Sequence, residues 1–203
     1  AIGYQSLSAV TTGQANTVLV SQALDAATTG TENIAIGYRA LSSDTQGQRN
    51  VAIGNEALFA QNITSATNTY NTAIGFQAMY NNTTGTQNTA VGGLALDANT
   101  TANYNTAIGY ATLTSNTTGT ENTALGRAAL NECITGSENT AVGSSALEVN
   151  KGSNNVAVGR MALRDNSTGT SNTALGHQAM ILNTTAGNNT AVGKSALGAN
   201  TTG

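Results

Sequence analysis

The chain has 203 residues, a net charge of −3 and only 8% charged residues; it contains no Pro, no Trp, and one Cys and one His. Thr (34), Ala (33), Asn (26) and Gly (23) fill 116 positions, far from an ordinary globular domain, in which about a quarter of residues are charged. Seven Lys and Arg argue against a nucleic-acid surface, which needs clustered cations, and a chain without Pro or high net charge lacks the usual composition of disorder.

Taken along the chain, the sequence is one array of repeats over residues 1–203. Copies aligned on Ala-(Ile/Val/Leu)-Gly begin at Ala1, Val18, Ala35, Ala52, Ala73, Ala90, Ala107, Ala124, Ala141, Ala157, Ala174 and Ala191. The step is 17 residues except for one of 21 (52 to 73) and one of 16 (141 to 157). Two places before each later start stands Asn: Asn16, Asn33, Asn50, Asn71, Asn88, Asn105, Asn122, Asn139, Asn155, Asn172 and Asn189. A β-branched residue follows, then Ala, an aliphatic and Gly, except in the second copy, where Val18 and Val20 replace the Ala and the Gly. Four places beyond that Gly stands Leu or Met in every copy, usually after Ala.

The β-branched, alternating pentad predicts a strand in each copy, with Thr72 and Ile74 on one face and Asn71, Ala73 and Gly75 on the other. The Ala-Leu pair reads as a second short extended piece, and Asn-Thr-Thr-Gly stretches such as 82–85 and 116–119 carry turn chemistry. A helical hairpin repeat would need long runs of good helix formers, which the Gly, Asn and Thr of each unit preclude. Both changes of length fall between the Leu column and the next Asn, in 59–70 and 148–154, which marks that segment as an exposed corner.

The expected fold is therefore all-β: a single-chain parallel β-solenoid with one coil per repeat and twelve repeats, about 55–60 Å long at one strand spacing per coil. Pro is absent because coil residues must donate to the next coil. The Asn column reads as a ladder of side-chain amides, each donating to one neighbour and accepting from the other, with a partial second ladder at Asn82, Asn99, Asn116, Asn150, Asn166, Asn183 and Asn200. The expected core of each coil is the aliphatic, the Leu or Met, the β-branched residue and some Ala. That core is thin, so lateral association should help. The two Ala columns offer a small-residue face for another chain, most simply in a trimer.

The motifs Asn-Ile-Ala-Ile-Gly (33–37), Asn-Val-Ala-Ile-Gly (50–54) and Asn-Val-Ala-Val-Gly (155–159) resemble the head repeats of trimeric autotransporter adhesins of the YadA type. They also resemble the Asn-Thr-Ala-Ile-Gly-Tyr-x-Ala-Leu repeats of bacterial surface proteins and phage tail fibres. The resemblance covers all twelve repeats, though the family repeat is shorter than 17. It implies a left-handed β-roll in a fibrous, extracellular or cell-surface protein or a virion tail fibre, usually trimeric, with an adhesive or structural role. No polar capping repeat is visible at either end, so the expected context is a window of a longer rod or a filament of stacked ends. No apolar run reaches the ~18 residues of a membrane span.

Candidate chemistry is sparse. One His and one Cys make no metal set of the usual spacing, and neither a Ser/His/Asp arrangement nor a phosphate-cradling Gly-Lys loop is present; no cofactor and no catalytic residue is expected. His177 lies in a mixed, solvent-facing column after Gly, and Cys133, which replaces an Asn of the turn ladder, reads as a free surface or semi-buried thiol. Glu121 and Glu138, one coil apart, have the look of a paired carboxylate site but lack a third partner. Tyr4, Tyr38, Phe76 and Tyr110 follow Gly in roughly alternate coils as possible contacts with a glycan, a host surface or a neighbouring chain. The reading is a non-enzymatic segment of an extracellular fibre that associates with itself as a trimer or filament. Its alternative is a module binding a carbohydrate or ice lattice through one flat face.

Overall fold

The computed structural model describes residues 1–202. In chain order its strands are Thr17–Leu19 (β1), Ile34–Ile36 (β2), Gly47–Gln48 (β3), Val51–Ile53 (β4), Thr67–Asn68 (β5), Thr72–Ile74 (β6), Thr89–Val91 (β7), Thr106–Ile108 (β8), Thr123–Leu125 (β9), Thr140–Val142 (β10), Val156–Val158 (β11), Thr173–Leu175 (β12) and Thr190–Val192 (β13). All but β3 and β5 form one eleven-stranded parallel sheet in sequence order. Its register aligns equivalent residues: Thr72, Ala73 and Ile74 lie beside Thr89, Ala90 and Val91. A bridge between Ile2 and Leu19 continues the stack into the first repeat. The molecule is a parallel β-solenoid with one coil per repeat.

The strand is short because the Gly that closes each pentad turns the chain. Gly75 has φ +138°, and a Cβ there would run into the Gly92 carbonyl of the adjoining coil. Two four-residue turns follow, closed in that coil by Ala78 N–H to Gly75 O (3.4 Å) and Asn82 N–H to Met79 O (3.1 Å). The Ala-Leu pair thus lies in turns rather than in a second extended piece. Each Leu or Met sits in the left-handed region, as Met79 does at φ 54°. Its amide still bonds to the adjoining coil, as in Leu113 N–H to Ala129 O (3.0 Å), so the ladder between coils continues through the turn. Left-handed backbone is costly for a residue with a Cβ, by about 1–2 kcal/mol; burial of the side chain and the hydrogen bonds between coils hold it there.

The core differs from the expectation in which residues fill it. The alternation is as read, but the face of the pentad that turns inward is the Asn-Ala face. The pentad Ala residues from Ala35 to Ala174 are fully buried, as are the second Ala and the Leu or Met of the same coils, including Ala78, Met79, Ala95 and Leu96. The β-branched and aliphatic columns point outward: Ile108, Leu125, Val156 and Leu175 are exposed. A 17-residue coil encloses too little space for both sets. Ala and Leu fill it, and the aliphatics are left outside. The Ala columns are consequently no docking face.

The two irregular steps fall where expected. In the long coil Asn62, Thr64 and residues 65–68 are exposed, while Gln61, Ile63 and Thr69 turn inward. The bulge carries β5, which pairs with β3. In the short coil Lys151 alone spans the gap from Asn150 to Gly152 that two exposed residues, such as Thr83 and Thr84, span elsewhere.

Candidate functional site

The chemically organised part of this molecule is its column of buried amides. Each Asn of the main column from Asn16 to Asn172 grips the segment that comes round one coil later, Asn50 through its Oδ1 alone because its Nδ2 donates back to Asn33. Asn105 Oδ1 accepts the Asn122 amide (3.0 Å) and its Nδ2 donates to Gly119 O (2.8 Å); Asn88 does the same with the Asn105 amide (2.9 Å) and Ala102 O (2.8 Å). The pattern holds with Asn16 at one end and Asn172 near the other. The expected amide-to-amide chain is therefore mainly a side-chain-to-backbone clamp. Direct amide contacts in this column are confined to a few steps, such as Asn139 to Asn122 (3.1 Å). The clamped backbone explains the difference: the residue before each Asn has positive φ, as Glu121 does at 59°, and this turn aims an N–H and a C=O at the Asn of the preceding coil.

The turn column is the one that carries an amide-to-amide ladder. Asn99 Nδ2 donates to Asn82 Oδ1 (2.7 Å), Asn166 to Asn150 (2.7 Å) and Asn183 to Asn166 (2.6 Å). Each also donates within its own turn, as Asn116 does to Gly119 O (3.0 Å). The two columns meet on shared carbonyls: Gly85 O accepts from Asn71 (2.7 Å) and from Asn82 (3.1 Å).

The upper end of the turn ladder was not legible from the sequence. Donation runs toward the N-terminus: Asn82 to Gln61 Oε1 (3.3 Å), then Gln61 to Asp44 Oδ2 (2.9 Å). In the coil before it the same column holds Ala27, which offers no side-chain acceptor. A carboxylate, which only accepts, ends the chain of donors there. Asp44 Oδ1 also takes the amides of Ile63 (2.9 Å) and Gly47 (3.2 Å). Burial pushes its carboxyl above the usual range. The equal spacing of Asp44, Gln61 and Asn82 from the Leu column was the signal that could have found this end.

Cys133 is fully buried, deeper than a surface or semi-buried thiol, because its column faces the core. Its Sγ contacts Gly136 O (3.5 Å), and burial pushes the thiol up to about 11. His177 is half-buried beside Arg160, with Nε2 3.3 Å from the guanidinium. Glu121 and Glu138 are both exposed on one edge of the sheet. Among the described residues no pocket opens and no three His, Cys, Asp or Glu side chains gather as a metal set.

Tyr4, Tyr38, Phe76 and Tyr110 are all exposed, on the edge of the sheet that follows the Gly column. A second aromatic set lies on the opposite edge, before the Asn column: Tyr70 and Tyr104 are exposed there. Tyr70 accepts from Arg49 (2.7 Å), which also pairs with Glu32 (2.9 Å). Phe59 and Tyr80, next to the Leu column, stack with centroids 5.0 Å apart, and Arg39 lies 4.3 Å over Phe59. Arg39 pairs with Glu56, its neighbour of opposite sign in the same column (3.5 Å).

No protein-family profile, curated protein or solved structure matches the chain. What the geometry defines is a class: a parallel β-solenoid repeat protein tied together by two ladders of buried Asn.

Proposed function

We propose that this chain is a structural segment of an extracellular fibre, in which the rod itself is the function and copies associate with one another. The observation that carries the reading is the continuity of the Asn clamp from Asn16 to Asn189, which joins every coil to the next. Investment in axial strength, with no cleft for a substrate, suits a load-bearing spacer, and the resemblance of the pentads to adhesin and tail-fibre repeats points the same way. The competing reading, a face that binds a carbohydrate or ice lattice, draws on the outward Thr column. Ile34, Val51 and Val156 interrupt that column, which makes it a poor match to a rigid lattice. Electron microscopy of the purified protein tests the proposal. Rods or filaments of more than one chain support it; isolated monomers that bind chitin, cellulose or ice overturn it.

A further inference from the structure

The outer face of the sheet is the one large feature that the fold leaves unused. It is a strip of two columns, the Thr or β-branched column and the aliphatic column, running through eleven strands. Ile108, Leu125, Val156, Leu175 and Val192 are 38–66% exposed along it. Eleven coils at about 4.8 Å give a strip roughly 50 Å long, and its breadth from edge to edge is about 15–20 Å. That is on the order of 800 Å² per copy, the size of a standard stable interface. One of its columns is aliphatic and the other mainly Thr, so the strip is a mixed, uncharged face of interface size, and protein interfaces are no more apolar than this on average.

The two edges that border the strip complement each other in three coils near its middle; elsewhere the pairs are mixed but place no like charges together, as in Arg49 with Asn55. In each coil one edge residue precedes Asn and the other follows Gly. Where the first edge has Tyr70 the second has Phe76; where it has Tyr104 the second has Tyr110; between these, Gln87 is matched by Gly93. Glu121 is matched by Arg127. Glu138 is matched by Ser144, which lies between Arg127 and Arg160 in the column. Glu121 and Glu138 are like charges on neighbouring coils, and the fold offers them no cation, since neither is in an ion pair within the chain. Rotation by 180° about an axis parallel to the rod brings the first edge of one copy against the second edge of another at the same height. The matched pairs then meet: aromatic on aromatic, Glu121 on Arg127. An antiparallel pairing sets like edges together and loses this.

We propose that the outer sheet face docks a second copy of this chain, parallel and in register, with the Thr column of each copy against the aliphatic column of the other. This rests on the reading of the chain as a self-associating fibre segment and names the surface and geometry of the association. Such a two-fold contact is isologous, so Thr106 faces Ile108 of the second copy and the reverse.

The test mixes two differently tagged chains, one carrying Thr106→Cys and the other Ile108→Cys, and treats them with a short bis-maleimide, because sheets facing each other at about 10 Å are too far apart for a direct disulfide. Both positions are on the surface, and native Cys133 is buried and does not compete. The expected results are a two-chain mass by sedimentation and a mixed cross-link that is at least five-fold more abundant than that of Thr106→Cys with Leu125→Cys, one coil out of register. Glu121→Arg should weaken the pair about ten-fold, and adding Arg127→Glu should restore it. A three-chain mass, an out-of-register product or a charge swap that fails to rescue overturns the proposal. Filaments joined without this cross-link overturn it and leave the fibre reading standing; chains that stay monomeric and form no filament overturn both.

Discussion

Asn116 Oδ1 is buried and has no hydrogen-bond partner, because the residue one coil later in its column is Cys133. Everywhere else from Asn82 to Asn200 that column holds Asn, whose Nδ2 donates to the amide oxygen above it. A thiol is too weak a donor to take the place. Asn150, on the other side of the gap, donates to its own turn carbonyl, Gly152 O (2.8 Å), and meets the Cys133 sulfur where its neighbours meet an amide oxygen.

Cys133→Asn should therefore stabilise the protein. The new amide would donate to Asn116 Oδ1 and accept from Asn150 Nδ2, a gain of about 1–2 kcal/mol for satisfying buried polar groups. Denaturant unfolding measures it; an unchanged or lowered midpoint would mean that the column has no room for the amide.

The same burial makes Cys133 inert in the folded state. With its thiol pushed up to about 11 and no surface exposed, it should react with a disulfide reagent at pH 8 only as fast as the coil opens, and promptly once denatured. Stoichiometric labelling of the folded protein within seconds would contradict the burial.

Asp44 gives stability a pH dependence of predictable sign. Its carboxyl is raised in the folded state, so the fold binds its proton more tightly than the unfolded chain does. Stability should rise as pH falls from above that raised value toward the ordinary 3.8 of the free carboxyl. Asp44→Asn should flatten this segment of the curve while lowering stability, since an amide nitrogen would then face the donating Nε2 of Gln61. A profile identical in slope to the parent would show that Asp44 is not the group responsible.

Glycine is required at one kind of position and merely present at another. Gly109 has φ +137° and the Gly126 carbonyl where a Cβ would go, whereas the nearest atom to a Cβ on Gly93 is in the Tyr110 ring at 3.5 Å. Gly109→Ala should cost at least ~2 kcal/mol and Gly93→Ala less than about 0.5. Equal losses in thermal unfolding would count against the stacked-turn geometry.

The period, the strand and its alternation could be read from the sequence because they recur in every copy. Which face of the pentad turned inward could not: Ile74 and Val91 look more like core than Ala73 and Ala90, and only the narrowness of the coil decides for Ala. The left-handed positions did leave a trace. The Leu column, the column two after Gly (from Gln5 to Ser195) and the column before Asn (from Ala15 to Asn188) contain no Thr, Val or Ile, the residues least able to adopt positive φ. In a chain with 34 Thr that avoidance reports the turn conformation. The clamp's direction was hidden because the Asn column alone does not say whether its partner is another amide or the backbone that comes round beside it.

Buried Asn side chains, rather than the turn residues around them, join coil to coil. Thermal unfolding of Asn105→Ala beside Thr118→Ala measures this most directly. Asn105 satisfies the Asn122 amide and shares the Gly119 carbonyl with Asn116; its loss strands the buried amide, at about 1–3 kcal/mol, and removes one of the carbonyl's two donors. Thr118 is exposed and its hydroxyl makes no hydrogen bond within the chain. Asn105→Ala should lose at least ~2 kcal/mol, and Thr118→Ala should change stability by no more than about 0.5 kcal/mol. Equal effects would contradict that role for the Asn column.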